Sequence, residues 1–287
     1  MPDERPDSLP QPHKPETHPS ASSVAEVTQT VLASAKYAAL APALVADLAA
    51  QELAKGARVK DAVKQVKNRL HQSVAAYWDG RTDFAAWRAT LTAAPDASAQ
   101  RTALLTMMRT HHSTRERLPF LASFYTTLFA GLGPIHRVLD LGCGLNPLAL
   151  PWMGLPADTA YYACDVDRTQ IDFLAWWLAY GEQPGRAFVW NLLDGAPPDA
   201  DAPPCDVALL LKIVPCLAQL DKQIGAHLLD EVTARVLIVS FPAQSLGGRR
   251  KGMVAHYTAQ MEALLVGRGW TFARFEFPSE LVFRLCR

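Results

Sequence analysis

The spacing of apolar residues divides the chain into a helical part and a later part with strands. Between residues 23 and 132, apolar residues recur every three or four positions, as they do on one face of an α-helix. One such stripe comprises Val59, Val63, Val66 and Leu70, in a helix predicted over 58–78. After residue 137, short apolar runs bounded by turn residues predict strands over 138–141, 161–165, 187–190, 206–212, 235–241, 271–277 and 281–286.

This pattern predicts an α/β fold, with a seven-stranded Rossmann-like sheet preceded by an all-α domain. The run 207–211 is continuously apolar, which is typical of a central parallel strand buried on both faces. The last two predicted strands are joined by Pro278, Ser279 and Glu280 and therefore form a hairpin. A last strand inserted antiparallel is the ending of a class I methyltransferase sheet, whereas a Rossmann dehydrogenase does not need it.

A glycine turn follows the first strand, and a carboxylate ends the second. Gly142 and Gly144 flank Cys143, so the backbone of this turn can approach a ligand without a Cβ in the way. Asp165 stands where a Rossmann-like sheet places the acid that accepts both ribose hydroxyls. Pro147 replaces the third glycine of the dinucleotide fingerprint, which disfavours NAD and FAD and favours S-adenosylmethionine. The alternative is that the glycines mark only a strand-to-helix turn.

Ligands of a parallel sheet bind beyond the carboxyl ends of its strands. Gly142, Asp165, Asn191, Leu211 and Lys212 are therefore expected to converge at one edge. The amide of Asn191 carries both a donor and an acceptor and could meet the edge of adenine.

Three helix starts are predicted from polar residues. Ser113 and Glu116 have the spacing of a capping box, in which hydroxyl and carboxylate satisfy each other's free backbone donors. The helix that they open carries Arg117, which could pair with the amino-acid carboxylate of S-adenosylmethionine if this segment covers the cofactor. Thr82 and Asp96 are the predicted N-caps of two further helices.

Composition describes a globular chain with a substantial core, because 49% of its residues are hydrophobic and 20% are charged. The five cysteines form no C-x-x-C pair, which indicates reduced thiols and a cytoplasmic protein. No apolar run approaches membrane-spanning length, and no spaced set of histidines and cysteines suggests a metal site. A proline-rich leader over 1–22 is predicted to be disordered.

Because the net charge is zero, any contact with RNA must come from local clusters of basic residues. The first cluster could dock a phosphate backbone; it contains Lys55, Arg58, Lys60, Lys64, Lys67 and Arg69. The second lies in a glycine-flanked loop over 244–253, at the predicted cofactor edge; it contains Arg249, Arg250 and Lys251. The alternative is a solvated helix face in the first case and a flexible loop in the second.

Four sequence blocks are distinctive: HSTRERLP over 112–119, GLNPLALPWMGLP over 144–156, LLLKIVPCL over 209–217, and the segment 241–247. Together they closely resemble the aminoglycoside-resistance 16S rRNA methyltransferases, the Arm, Rmt, Kgm and Sgm enzymes, from about Ser34 to the C-terminus. The resemblance implies transfer of a methyl group from S-adenosylmethionine to N7 of guanosine 1405 in the assembled small subunit. S-adenosylhomocysteine would be the product, and resistance to kanamycin- and gentamicin-type drugs would follow.

The resemblance also implies a domain division and a set of site residues. Residues 23–112 would form a helical rRNA-docking domain and residues 113–287 the methyltransferase domain. By motif position, the implied cofactor contacts are Tyr77, His111, His112, Ser113, Arg117, Gly142, Asp165, Asn191, Leu192, Leu211 and Gln219.

Two positions depart from the family's pattern. The family usually has an acid where Asn191 stands and a lysine where Gln244 stands. The first change keeps an acceptor for the adenine amine, and the second removes one possible RNA contact.

The expected chemistry needs little acid–base help, because N7 of guanine offers a lone pair and has no proton to remove. No residue is a certain catalytic group on this basis, although Lys212 is a candidate. Three alternatives stay open: an adenine-N1 enzyme of the same decoding site, a small-molecule methyltransferase, and a non-catalytic ribosome-binding module. The protein is expected to act as a monomer, without a metal or a membrane.

Overall fold

The computed structural model describes residues 19–73, 82–243 and 252–287. Its seven strands form one sheet in the order β3-β2-β1-β4-β5-β7-β6. In chain order the strands are β1 (Arg137–Leu141), β2 (Ala160–Asp165), β3 (Gly185–Val189), β4 (Cys205–Leu211), β5 (Ala234–Pro242), β6 (Thr271–Phe277) and β7 (Glu280–Cys286). The predicted class I methyltransferase sheet is confirmed, and several strands begin one or two residues earlier than the apolar runs suggested.

The helices within the described residues flank this sheet and precede it. They are α1 (Ala21–Leu32), α2 (Pro42–Ala54), α3 (Val59–Ser73), α4 (Phe84–Thr92), α5 (Ala97–Met108), α6 (His112–Arg117), α7 (Leu121–Phe129), α8 (Leu150–Met153), α9 (Arg168–Tyr180), α10 (Ile213–Leu217), α11 (Ile224–Glu231) and α12 (Met253–Leu265). Within the described residues, no helix is both long and apolar enough to cross a bilayer.

The strand directions place the functional edge. β1 pairs in parallel with β2 and β4, β2 with β3, and β4 with β5. β7 pairs antiparallel with both β5 and β6, so the terminal hairpin is present as predicted. The carboxyl ends of β1 to β5 therefore meet at one edge, and the segments that follow them form the wall of a cavity.

Hydrophobic packing divides the predicted helical domain of 23–112 into two parts. Helices α1, α2 and α3 share their own cluster, which includes Val31, Leu48 and Val66. Helices α4 and α5 instead add Leu91 and Leu104 to the cluster on one face of the sheet. The domain limits of 22 and 112 stay a prediction.

Three hydrogen-bonding contacts connect the segment between α1 and α2 to the loop that follows β2. Leu40 forms a β-bridge with Asp167, just beyond β2, and the amide of Ala41 donates to the carbonyl of Val166 at 2.8 Å. The guanidinium of Arg168 donates to the carbonyl of Ala38 at 2.7 Å. Helices α1–α3 are thus held directly against the loop that follows the β2 acid.

Two of the predicted helix starts are wrong. The N-cap of α6 is His111 rather than Ser113, and no side-chain cap bond forms there. Glu116 is not available for a capping box because its carboxylate binds Lys212 from across the fold. Helix α4 is capped by Asp83, whose carboxylate accepts from the amide of Ala86, and not by Thr82.

The remaining local predictions have mixed outcomes. Asp96 caps α5 as predicted, accepting from the amide of Ala99 at 2.8 Å. Helix α1 begins at Ala21, inside the predicted leader, whose residues 1–18 lie outside the described part of the chain.

The cysteines are free, and Cys143, Cys164, Cys205 and Cys216 are buried, which confirms the prediction of core thiols.

Candidate active site

A cleft opens at the carboxyl edge of the sheet, between the strand ends and the helices α2 and α3. The space between its walls is about 930 Å³, including the solvent at its mouth. Leu44 of α2 and Ser73 of α3 contribute to its wall, so the N-terminal helices help to enclose it. Most of the predicted cofactor contacts line this cleft, namely His111, Ser113, Arg117, Gly142, Asp165, Asn191, Leu192 and Leu211.

The glycine turn after β1 leaves no room for side chains. Gly142 and Gly144 have φ values of +62° and +50°, in the left-handed region that favours glycine. A Cβ added at Gly144 would lie 2.9 Å from Cε1 of His111, and one at Gly142 would lie 2.5 Å from Cγ1 of Ile213. The turn therefore brings bare backbone to the cleft, as the sequence predicted.

Asp165 lies beside this turn at the end of β2. Its Oδ2 accepts from the amide of Gly144 at 2.9 Å, and its Oδ1 accepts from the amide of Val166 at 2.7 Å. Burial raises the pKa of Asp165, while these backbone N–H groups act in the opposite direction. The amide of Asp167 also donates to Oδ1 at 3.4 Å, and since a carboxylate has about four acceptor sites, capacity for one further donor remains on Oδ2.

His111 packs against the same turn from the other side. Burial lowers the pKa of His111 to about 3, and the nearby Arg117 acts in the same direction. The imidazole is therefore neutral across the physiological pH range. It lines the cleft as an uncharged, largely apolar surface beside Gly144.

A buried ion pair lies under the cleft and joins α6 to the terminal hairpin. Arg117 donates from Nη2 to Oε1 of Glu280 at 2.8 Å and from Nε to Oε2 at 3.1 Å. The two side chains are only 1% and 0% exposed. Burial alone would raise the pKa of Glu280, but Arg117 and Lys212 lower it, so this carboxylate is charged. Neither its burial nor its pairing had any signal in the local sequence.

Arg117 also anchors the loop after the glycine turn. Its Nη1 donates to Oδ1 of Asn146 at 2.8 Å, and the amide of Asn146 donates to Oδ2 of Asp140 at 2.9 Å. The hydroxyl of Tyr161 donates to the same Asp140 oxygen at 2.7 Å. Burial raises the pKa of Asp140 to about 7. This network fixes the base of the site, and the sequence reading missed Asn146, Asp140 and Tyr161.

The predicted pairing of Arg117 with the cofactor's carboxylate stays a prediction. Three of its N–H groups are used by Glu280 and Asn146, and a guanidinium has five. Arg117 lines the cleft, so the remaining donors are compatible with a bound carboxylate.

Lys212 is the N-cap of α10, in the left-handed region with φ of 60°. Its ammonium lies 2.6 Å from Oε2 of Glu116 and 3.6 Å from Oε2 of Glu280. The side chain is 5% exposed. Two carboxylates therefore hold this cation in place, which indicates a role in charge compensation, and a catalytic role for Lys212 stays a prediction.

Among the described residues, two predicted cofactor contacts do not line the cleft. His112 has its Nε2 3.1 Å from Oε1 of Glu116. Gln219 is exposed near the end of α10, where Leu217 and Leu220 line the cleft instead. Tyr77 lies outside the described residues.

The predicted RNA-contacting residues differ in their availability. Arg69 is 17% exposed and donates to Glu52 at 2.8 Å and to the carbonyl of Leu220 at 2.9 Å, so it stabilises the packing of α3. The remaining described members of the first cluster keep an exposed or partly exposed side chain: Lys55, Arg58, Lys60, Lys64 and Lys67. Gln244, Arg249, Arg250 and Lys251 lie outside the described residues.

The donors and acceptors of the cleft fit S-adenosylmethionine. Asp165 provides acceptors for ribose hydroxyls, bare backbone at Gly142 and Gly144 allows close approach, and Asn191 provides an amide. Among the described residues, no group of three or more His, Cys, Asp or Glu side chains is placed to hold a metal ion.

Solved structures support the fold assignment along almost the whole chain. The structure of the 16S rRNA methyltransferase RmtF in complex with S-adenosyl-L-homocysteine superposes with a TM-score of 0.80 and 29% identity, covering 94% of this chain and 100% of that chain. The 16S rRNA methylase RmtB gives a TM-score of 0.76 and 25% identity, covering 92% and 98%.

Sequence comparison gives the same grouping. A protein of Frankia casuarinae named 16S rRNA (guanine(1405)-N(7))-methyltransferase is 41% identical over 267 residues, which are 91% of this chain and 92% of that protein. A protein of Micromonospora echinospora with the same name is 39% identical, over 90% and 94% of the two chains. The family model of the ribosomal RNA methyltransferase FmrO matches residues 33–284. The chain therefore belongs to the FmrO family of ribosomal RNA methyltransferases.

Proposed function

We propose that this protein transfers a methyl group from S-adenosylmethionine to N7 of guanine 1405 in the 16S rRNA of the assembled small ribosomal subunit. One observation carries the proposal: the relative with 41% identity along 91% of the chain bears this activity in its name. The cleft supports it independently, since its strand ends present the groups that a nucleoside needs. Resistance to kanamycin- and gentamicin-type aminoglycosides would follow.

The residues of the cleft have distinct tasks in this proposal. Bound S-adenosylmethionine supplies an electrophilic methyl group on a sulfonium. Asp165 accepts the ribose hydroxyls, and the Gly142–Gly144 turn lets the backbone lie against the nucleoside. Arg117 and Ser113, both in α6, bind the amino-acid end. The buried network around Arg117 keeps α6 fixed relative to the sheet.

The chain's contribution to methyl transfer is alignment. N7 of guanine has a lone pair and no proton, so neither a general base nor a metal is needed. Lys212 is already paired with Glu116 and Glu280, so in this proposal it balances the charge of these two carboxylates. The methylated base is cationic and repels the ammonium groups of a drug in the same pocket. It has also lost the acceptor that the drug would use.

The basic face of α3 docks the RNA in this proposal. Arg58, Lys60 and Lys64 are exposed, and Asp61 pairs with Arg58. Each phosphate that such a face neutralises releases a counterion, which makes the affinity fall as salt rises. Because the substrate is a ribosomal subunit, we place the protein in the cytoplasm, and we expect it to act as a monomer.

Methylation of purified small subunits tests the proposal. Subunits are incubated with the protein and radiolabelled S-adenosylmethionine, and the 16S rRNA is cleaved after reduction and aniline treatment at 7-methylguanosine. We expect label incorporation and cleavage at nucleotide 1405, and neither with the Asp165→Ala variant. In cells we expect resistance to kanamycin and gentamicin but sensitivity to apramycin.

The other outcomes have clear meanings. Label without cleavage, together with apramycin resistance, would assign adenine-N1 methylation instead. Subunit binding without label would assign a non-catalytic ribosome-binding module.

A further inference from the structure

We propose that Asp47, in the N-terminal helix α2, sets the orientation of the Asn191 amide and thereby makes the site specific for the 6-amino group of adenine. Asp47 is in this sense a positioning residue that acts through Asn191. The inference rests on the proposed function, because it concerns the nucleoside of S-adenosylmethionine. It assigns to the helical region a role in cofactor recognition, in addition to any role in RNA docking.

The first step is the hydrogen bonding of Asn191. Its Nδ2 donates to Oδ2 of Asp47 at 2.9 Å, and its Oδ1 accepts from the amide of Leu193 at 3.2 Å. A carboxylate can only accept and a backbone N–H can only donate. The two contacts therefore require the same orientation of the amide, with nitrogen toward α2 and oxygen toward the chain that follows β3.

The second step is the location of this pair. Asn191 is 5% exposed and lines the cleft at the end of β3. Leu44, one turn before Asp47 on α2, also lines the cleft. The amide oxygen of Asn191 has two lone pairs, and the amide of Leu193 uses one of them. The second lone pair can accept from the exocyclic amine of adenine.

The third step concerns the charge at this point. This chain has a neutral amide at position 191, next to the carboxylate of Asp47. Asp194 also lies close enough to raise the pKa of Asp47, after the larger effect of burial. A further carboxylate at position 191 would face Asp47 directly, and like charges at that distance repel. Asn191 together with Asp47 thus presents an oriented, uncharged amide to the cleft.

Orientation matters because an amide can present either a donor or an acceptor. Adenine offers a 6-amino donor, whereas hypoxanthine offers a 6-oxo acceptor at the same place. If Asp47 no longer requires nitrogen on its side, only the longer bond from the amide of Leu193 opposes a half-turn of the Asn191 amide, after which its nitrogen can donate to the 6-oxo group. Selectivity for adenine over hypoxanthine should therefore fall, while a purely structural defect would weaken both ligands equally.

The test compares the binding of S-adenosylhomocysteine and S-inosylhomocysteine by calorimetry. The wild-type protein should prefer the adenine compound. In Asp47→Asn, which keeps the size of the side chain, the ratio of the two affinities should fall by about tenfold, corresponding to one hydrogen bond. Asp47→Ala should lower the ratio as well. Asp61→Asn serves as the control, because it removes an exposed acid of α3 and should leave the ratio unchanged.

A second substitution tests the mechanism. In the Asp47→Asn/Asn191→Asp double variant, the acid at 191 can only accept, so selectivity for adenine should return without Asp47. If Asp47→Asn and Asp47→Ala both bind S-adenosylhomocysteine with the wild-type selectivity ratio, the inference is refuted and the proposed function stands. If the wild-type protein binds neither compound, the proposed function fails and the inference fails with it.

Discussion

The buried ion pair between Arg117 and Glu280 gives the sharpest prediction for stability. Glu280 is fully buried, binds Arg117 through both oxygens, lies 3.6 Å from the ammonium of Lys212 and accepts from the hydroxyl of Ser240 at 2.6 Å. Glu280→Gln keeps the volume but leaves a net positive charge among these groups. Breaking a buried pair on one side costs about 3–5 kcal/mol, a large part of the stability of an ordinary domain.

Urea unfolding measures this cost, with a matched control elsewhere in the hairpin. Glu276 pairs with Arg274 at 3.1 Å, but both side chains are about half exposed, so Glu276→Gln should change the stability by less than about 0.5 kcal/mol. With a slope of about 3 kcal/mol per molar urea, Glu280→Gln should lower the unfolding midpoint by at least about 1 M. Equal midpoints for the two variants would refute the assignment of Glu280 as a charged, paired group.

The pH dependence of this effect has a defined sign. Arg117 and Lys212 hold the pKa of Glu280 below its usual value despite burial, and an unfolded glutamate has a pKa of about 4.3. The stabilisation by Glu280 is thus fully present above that pH and is lost as the pH falls through the lower folded pKa. The stability difference between the wild type and Glu280→Gln should shrink below about pH 4, and a constant difference would contradict the ionised pair.

Three further predictions concern the cofactor, the RNA and a second buried acid. Asp165→Ala and Arg117→Ala should each lose activity through weaker cofactor binding, by about tenfold or more, and calorimetry showing wild-type affinity would refute those roles. Reversing the charges of Lys60, Lys64 and Lys67 should leave S-adenosylhomocysteine binding intact but weaken subunit binding and flatten its salt dependence; an unaltered affinity for the subunit would refute docking by α3. Burial raises the pKa of Asp140 to about 7. Between about pH 4 and that value, the folded chain keeps a proton that the unfolded chain has released, so the stability of the wild-type protein decreases as the pH rises. Asp140→Asn should therefore gain up to about 4 kcal/mol relative to the wild type from pH 4 to pH 8 in urea unfolding, and a constant difference would show that Asp140 is ionised throughout.

The parts of the site that the sequence predicted are those that depend on neighbouring residues. Gly142 and Gly144 follow an apolar strand, and Asp165 ends the next one, so their types and spacing indicated the turn and the acid. Parallel pairing of β1 with β2 then brings them together. The terminal hairpin was equally visible, because its two apolar runs are separated only by a short turn.

The parts that the sequence could not predict depend on residues far apart in the chain. Arg117 and Glu280 are 163 positions apart, and Glu116 and Lys212 are 96 positions apart. In the sequence each is an ordinary charged residue, and Glu116 even fitted a local capping box with Ser113. In the folded chain the carboxylate of Glu116 instead pairs with Lys212, because a buried lysine without an anion would cost several kcal/mol of stability.

The amino-acid sequence by itself determined the order of strands and helices, the glycine turn and the acid beside it, since hydrophobic periodicity and backbone freedom are local properties. Only the tertiary structure decided which charged groups are buried together and that Asp47 of α2 reaches Asn191 at the end of β3. It also decided that α4 and α5 pack on the sheet rather than on α1–α3. The physical reason is that desolvation and ion pairing depend on neighbours in space, which the chain defines only once it has folded.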